Sequence, residues 1–150
     1  MILENVSNIN IHKVDYASPE KRFFILHIRK KVFVEEQNVN REDEFDEFDT
    51  TSNHYLAYYG PIKAGTARWR ITEEGIKLER FAILKKYRNK GIGTAILNKV
   101  MEVVKKEGKK IYLHAQLPAI KFYERAGFVK EGNMFSECNI DHYKMVYKGN

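Results

Sequence analysis

With 150 residues, the chain is about the size of one compact domain, one that buries roughly two thirds of its unfolded surface without a disulfide or metal staple. A hydrophobic content of 43%, with 13% aromatic, excludes a disordered chain, and no apolar run approaches the ~20 residues of a membrane span. The 26 Lys and Arg outnumber 20 Asp and Glu, and this net +6 favours an anionic ligand without naming it.

Met1-Ile2-Leu3-Glu4-Asn5 has neither the basic segment nor the apolar stretch of a secretory leader. Alternation at Ile9, Ile11 and Lys13 predicts a first strand ending near Asp15. Ser18-Pro19-Glu20 is a helix start, with serine as N-cap and proline at the first helical position. Phe23, Phe24, His27, Ile28, Lys31 and Val32 then form an amphipathic stripe that runs out near Val34–Gln37. The run Glu42-Asp43-Glu44-Phe45-Asp46-Glu47-Phe48-Asp49 holds six acids and no base, so the remaining chain carries +6 + 6 = +12. That run reads as a solvated loop with Phe45 and Phe48 dipping into the core, or as an attractor for a cationic amine. His54–Tyr59, Ala64–Ile71 and Ile76–Leu84 predict a meander of three antiparallel strands, turning at Gly60-Pro61 and Glu74-Gly75. A helix follows Gly93, with Ile96, Val100, Val103 and Val104 on one face and Gly108 at its end. Ile111–Ala115 is a short strand, Pro118–Arg125 a short helix ended by Gly127, and Tyr143–Tyr147 the last strand. The expected fold is α+β: one domain over residues 1–150, with a mixed, mostly antiparallel sheet flanked by helices.

The segment Ile83-Leu84-Lys85-Lys86-Tyr87-Arg88-Asn89-Lys90-Gly91-Ile92-Gly93-Thr94 places a glycine loop between a strand and a helix. Alone it reads either as a glycine turn with solvated lysines or as a phosphate cradle. The strand before and the helix after favour the cradle, because backbone N–H groups and the helix dipole converge on an anion there. It is not a P-loop, since no Gly-Lys-Ser/Thr ending follows Gly91, and it lacks the third glycine of the dinucleotide fingerprint.

These residues carry a resemblance. "LERFAILKKYRNKGIGTAIL" followed by "IYLHAQLPAIKFYERAGFV" is similar to the acetyl-CoA-binding core of GNAT-superfamily N-acetyltransferases, whose Arg/Gln-x-x-Gly-x-Gly/Ala signature is met by Arg88, Gly91 and Gly93. "FVEEQ", "HAQ" before Pro118 and F-x-E-x-x-I-x-H-x-x-M at Phe135–Met145 resemble the bacterial YjcF/ElaA-type branch. The resemblance implies acetyl-CoA as cosubstrate and an amine as acceptor, attacked directly. It implies that the loop of Arg88, Asn89, Lys90, Gly91, Ile92, Gly93 and Thr94 holds the pyrophosphate. Backbone groups of Phe81, Ala82 and Ile83 would pair with pantetheine as an added strand and polarise the thioester carbonyl. Gln116 stands where many relatives have an asparagine that contacts the cofactor.

The resemblance gives Tyr123 the role of acid toward the departing CoA thiolate; the plain alternative is an aromatic pair, Phe122-Tyr123, filling space beside the helix. An amine with a lysine-like pKa is mostly protonated at neutral pH, so a base is expected. His142 is the first candidate, since imidazole titrates in the right range, and its plain alternative is a surface or core histidine. Glu79 is the second, and it could equally pair with Arg68 or Arg70 across the sheet. Cys138 alone cannot close an internal disulfide and fits a reducing, cytoplasmic setting, and a Cys138–His142 nucleophile pair is not expected. The other histidines show no metal-ligand spacing, and the aromatic residues do not interleave with a basic stripe, so neither metal nor nucleic acid is expected. The rival from another class is a non-catalytic module that holds CoA for regulation. The acceptor's identity stays open, as does the choice between monomer and homodimer.

Overall fold

The structure, a computed structural model, describes residues 8–149; the leader reading of the first five residues lies outside them. In chain order come β1 (Ile9–Val14), α1 (Pro19–Arg29, continued as π-helix through Lys30–Glu36), α2 (Arg41–Glu44), β2 (Asn53–Tyr59), β3 (Ile62–Ile71) and β4 (Ile76–Ile83). Then follow α3 (Ile92–Val104), β5 (Ile111–Gln116), α4 (Ile120–Arg125), β6 (Phe128–Glu137) and β7 (Ile140–Tyr147). One seven-stranded sheet runs β1-β2-β3-β4-β5-β7-β6, antiparallel throughout except for the β4–β5 pair. The expected mixed sheet with flanking helices is therefore what forms. Among the described residues no helix is long and apolar enough to cross a membrane.

Period-two alternation sorts the side chains between two cores. On β2, Tyr55 and Ala57 join the larger cluster under α3 and α4, whereas Leu56 joins the smaller one with Ile25, Ile28 and Val32 of α1. α3 buries Ile92, Ile96, Leu97, Val100, Met101 and Val104, a stripe at helical spacing. Each such side chain contributes about 1.5–3 kcal/mol when fully buried.

Three expectations change. α1 keeps its Ser18 cap, but it buries Ile25, Ile28, Arg29 and Val32, while Phe23 is exposed. The inward turn of Arg29 toward acidic partners decides this face. Phe128–Glu137, expected as connection, is a ten-residue edge strand. Its side chains are mostly exposed and its pairing with β7 is interrupted between Glu131 and Phe135, so it shows no alternation. Finally, β7 begins at Ile140 rather than Tyr143, because Cys138 and Asn139 make a two-residue hairpin turn with φ of +52° and +61°.

Candidate active site

The sheet is split at its centre. β4 and β5 pair only at Ile76–Leu78 with Ile111–Leu113 and then diverge, while β5 goes on pairing with β7 as far as Gln116 opposite His142. Beyond Leu78, β4 has no strand on its β5 side among the described residues. One extra β4 residue stands opposite Ala67, where Arg80 takes φ +58°, at a cost of roughly 1–3 kcal/mol. This bulge has a geometric consequence. Ile76 and Leu78 face the α3 core, and without it Phe81 and Ile83 would point the other way; with it they share that core, and Ala82 faces α1. The divergence opens a cleft of about 550 Å³.

Tyr123, His142, Glu79, Phe81, Ala82, Ile83, Arg88 and Gln116 all line this cleft, although they come from three strands, a helix and a loop. Tyr123 reaches it from α4, 9% exposed and boxed by the rings of Phe81, Phe122 and Phe128 at 6.4, 5.0 and 5.9 Å. Among the described residues its hydroxyl has no hydrogen-bond partner, and burial pushes its pKa up, so the phenol keeps its proton.

His142 is 7% exposed and stacks on Phe135. Its Nδ1 lies 2.7 Å from the carbonyl of Ile140. A carbonyl only accepts, so Nδ1 carries the hydrogen and the neutral ring has its lone pair on Nε2. That nitrogen lies 3.9 Å from Glu137 Oε1. Glu137 also meets His114 Nδ1 at 3.3 Å. The bond to His114 outweighs burial and holds the Glu137 carboxyl at about 2.

Glu79 is buried beneath cations. Arg68 and Arg70 each donate an Nε–H to its Oε2 at 2.7 Å, and Lys77 sits 3.4 Å from Oε1. Burial raises its pKa, but Arg68, Arg70 and Lys77 outweigh this and hold it below the ordinary range, which weakens it as a proton acceptor. The cross-sheet ion pair foreseen as its alternative is thus present.

The acidic run is solvated only in part: Glu42, Asp43 and Glu47 are exposed, and the other acids turn inward. Glu44 and Asp49 are 3% and 4% exposed. Arg29 donates to Glu44 at 2.8 Å and to Asp49 at 2.6 Å, and Arg68 grips Asp46 with two bonds of 2.8 and 2.7 Å. Phe45 and Phe48 lie against Arg29 and Arg70 rather than in the apolar core. Charge pairing with buried arginines wins over solvation here and folds α2 down over the cleft.

The glycine loop stands at one end of the cleft. Gly91 sits at the N-terminus of α3 with φ +86°, a conformation that favours glycine, and Asn89 has φ +63°. The first N–H groups of α3, at Ile92, Gly93 and Thr94, have no intrahelical acceptors, as at any helix start. Lys90 is exposed nearby. Arg88 is already engaged: its Nε donates to the Ile83 carbonyl at 2.9 Å, and its fork binds Glu36 at 2.6 and 2.7 Å. Gln116 is likewise engaged, exchanging amide hydrogen bonds of 2.9 and 3.3 Å with Gln37.

Glu36, Gln37, His114 and Glu137 therefore belong to the site although no role was expected for them. The signal for all four lay in the quoted motifs, with His114 in "HAQ". "FVEEQ" contains Glu36 and Gln37, and Phe135–Met145 contains Glu137 five residues before His142, a spacing that a two-residue hairpin turn folds onto one face.

Comparison with known proteins matches residues 16–148 to the family described as "Acetyltransferase (GNAT) domain". The chain is similar to YyaT of Bacillus subtilis, 43% identical over 125 residues, covering 81% of this chain and 84% of that one. It is also similar to the N-acetyltransferase YjcF of the same organism, 37% identical over 123 residues, 80% and 87% of the two chains. Escherichia coli ElaA superposes with a TM-score of 0.84 over 93% of this chain and 99% of its own, at 23% identity, which bears on the fold.

Proposed function

We propose that this chain, which belongs to the GNAT acetyltransferase family, is a cytoplasmic N-acetyltransferase that moves the acetyl group of acetyl-CoA to an amine by direct attack. The observation that carries this reading is the split between β4 and β5, into which an uncommitted phenol and an uncommitted imidazole nitrogen both open. The unpaired side of β4 at Phe81, Ala82 and Ile83 suits an extended, amide-rich arm that completes the ladder. The exposed start of α3 at Gly91 suits the pyrophosphate at the arm's far end. Arg88 serves there by bracing the loop against Ile83 and Glu36, and Gln116 by tying β5 to the Gln37 strap.

The amine nitrogen attacks the thioester carbon, the carbon–sulfur bond breaks, and backbone N–H groups of β4 hold the developing oxyanion. The ammonium proton passes to Nε2 of His142, the Tyr123 hydroxyl donates to the departing sulfur, and the second proton lost by nitrogen as the amide forms restores the Tyr123 hydroxyl. Burial raises the basicity of a thiolate as it raises that of a phenolate, so donor and acceptor stay matched in this enclosure. Glu79, held anionic by three cations, acts on the approaching cation's field rather than as the base. The test is release of free CoA thiol from acetyl-CoA across a panel of amines; binding of acetyl-CoA with no release for any amine would leave a binding module instead.

A further inference from the structure

Four cations border the cleft, and each already holds a carboxylate: Arg70 and Lys77 on Glu79, Arg80 on Glu44 and Asp46, and Arg88 on Glu36. An acceptor carrying a carboxylate would have to share each of these cations with the carboxylate it already holds. Two bordering anions are differently placed. Asp43 is in no ion pair among the described residues, and Glu137 faces the imidazoles of His114 on β5 and His142 on β7, with the Lys77 ammonium further off. Both carboxylates line the same cleft, together with Cys138 of the hairpin turn.

A second observation is independent of charge. His142 is more than nine-tenths buried, yet its Nε2 has no hydrogen-bond partner among the described residues and opens into the cleft. The 3.9 Å to Glu137 Oε1 is too long for a hydrogen bond. It suits a bridging group: a nitrogen about 2.8 Å from each atom would see them at roughly 90°, within reach of two N–H bonds of one ammonium.

We propose that the acceptor enters as an alkylammonium ion anchored by the Glu137 carboxylate beside Nε2 of His142, and that a second positive charge on the same molecule is held by Asp43. The acceptor class is thus a di- or polyamine, not an amino acid. This rests on the transferase reading and extends it to the acceptor. The ammonium docks on Glu137, gives one proton to His142, and attacks as the neutral amine, so charge capture and deprotonation occur at one place.

Three acceptors with four carbons each separate the possibilities: in 1,4-diaminobutane, n-butylamine and 4-aminobutanoate the end remote from the amine is positive, apolar or negative. The expected order of kcat/KM is diamine, monoamine, amino acid, with about tenfold between neighbours. Glu137→Gln raises KM for the diamine at least tenfold with kcat within about threefold, Glu137→Asp recovers part of the loss, and Asp43→Asn erases the diamine's advantage over butylamine. Equal or better use of 4-aminobutanoate, or a diamine KM indifferent to Glu137→Gln, overturns the proposal while leaving the transferase reading standing. Calorimetric titration of 1,4-diaminobutane into the protein–CoA complex decides the anchor without turnover. If no amine is acetylated, the transferase reading falls, and binding that survives Glu137→Gln removes the anchor as well.

Discussion

At the residue scale, the cleft collects polar groups with nothing to bind, and such groups are costly to bury without a use. Arg80 Nε is one, buried without a hydrogen-bond partner among the described residues, and the Tyr123 hydroxyl and Nε2 of His142 are two more that open to the cleft. Tyr123→Phe keeps the ring that packs on Phe81, Phe122 and Phe128 and removes only the hydroxyl. Its kcat is expected to fall by ~10²–10⁴ with acetyl-CoA affinity unchanged, read by steady-state rates beside calorimetry. An unchanged kcat, with chemistry shown to be rate-limiting, removes Tyr123 from the mechanism. His142 is read from the pH profile. A base must be neutral to accept, so the rate is expected to rise with pH along a limb that His142→Gln abolishes. Persistence of the limb in His142→Gln, with its loss in Glu79→Gln, would exchange the two roles.

Among the elements, α2 and the acids after it are positioned by electrostatics more than by apolar contact. Burial raises the Asp46 carboxyl, but the Arg68 fork and Arg80 outweigh it and hold it at about 2, against 3.8 for a free aspartate. A depressed carboxylate stabilises the fold above the unfolded value and stops doing so as pH falls through the folded one. Urea melts of Asp46→Asn should therefore show a loss of about 2 kcal/mol at neutral pH, with the gap to the parent closing between about pH 4 and pH 2. A gap that does not change with pH would mean that Asp46 acts through packing alone. The N-terminus of α3 gives a second test. A Cβ at Gly91 meets only Ile9 Cδ1, at 3.9 Å, so Gly91→Glu has room but suffers the strain of φ +86°. It should fold with a loss of about 1 kcal/mol and bind acetyl-CoA at least tenfold more weakly, because a negative side chain enters the pyrophosphate's place. Unaltered affinity in calorimetry moves the pyrophosphate elsewhere.

Across the whole molecule, two half-sheets, β1–β4 and β5–β7–β6, are joined by three residue pairs of a parallel ladder. The π-helical end of α1 bridges the gap, with Glu36 on Arg88 and Gln37 on Gln116. Such a frame leaves β4 backbone open beside β5, and the proposed cosubstrate would close it as an added strand. Hydrogen exchange checks this directly: amides within Phe81–Ile83 should gain protection on acetyl-CoA binding, together with residues 36–39 of the strap. Protection confined to the α3 N-terminus would mean that pantetheine does not pair with β4.

Much of this architecture is written locally. Ser18-Pro19 starts α1, Gly91 starts α3, alternation marks β2 to β4, and the Arg88–Thr94 spacing identifies the family, because caps, turns and periodicity act over a few residues. The glycine loop was legible for that reason, whereas Tyr123 and His142 were singled out through the family resemblance and stand as proposals. What tertiary structure alone decided depends on pairing between distant segments. β6 is a strand only because β7 lies beside it. The bulge at Arg80 turns Phe81 and Ile83 to the α3 side, and no residue type announces it. The acidic run reads as solvated until Arg29 and Arg68, buried and far away in sequence, claim its carboxylates. Glu137 acquires an address only when three neighbouring strands bring His114 and His142 to either side of it. Local rules set which residues form strands and helices; long-range charge pairing and strand register set what faces the cleft, since their energies depend on partners that no local window contains.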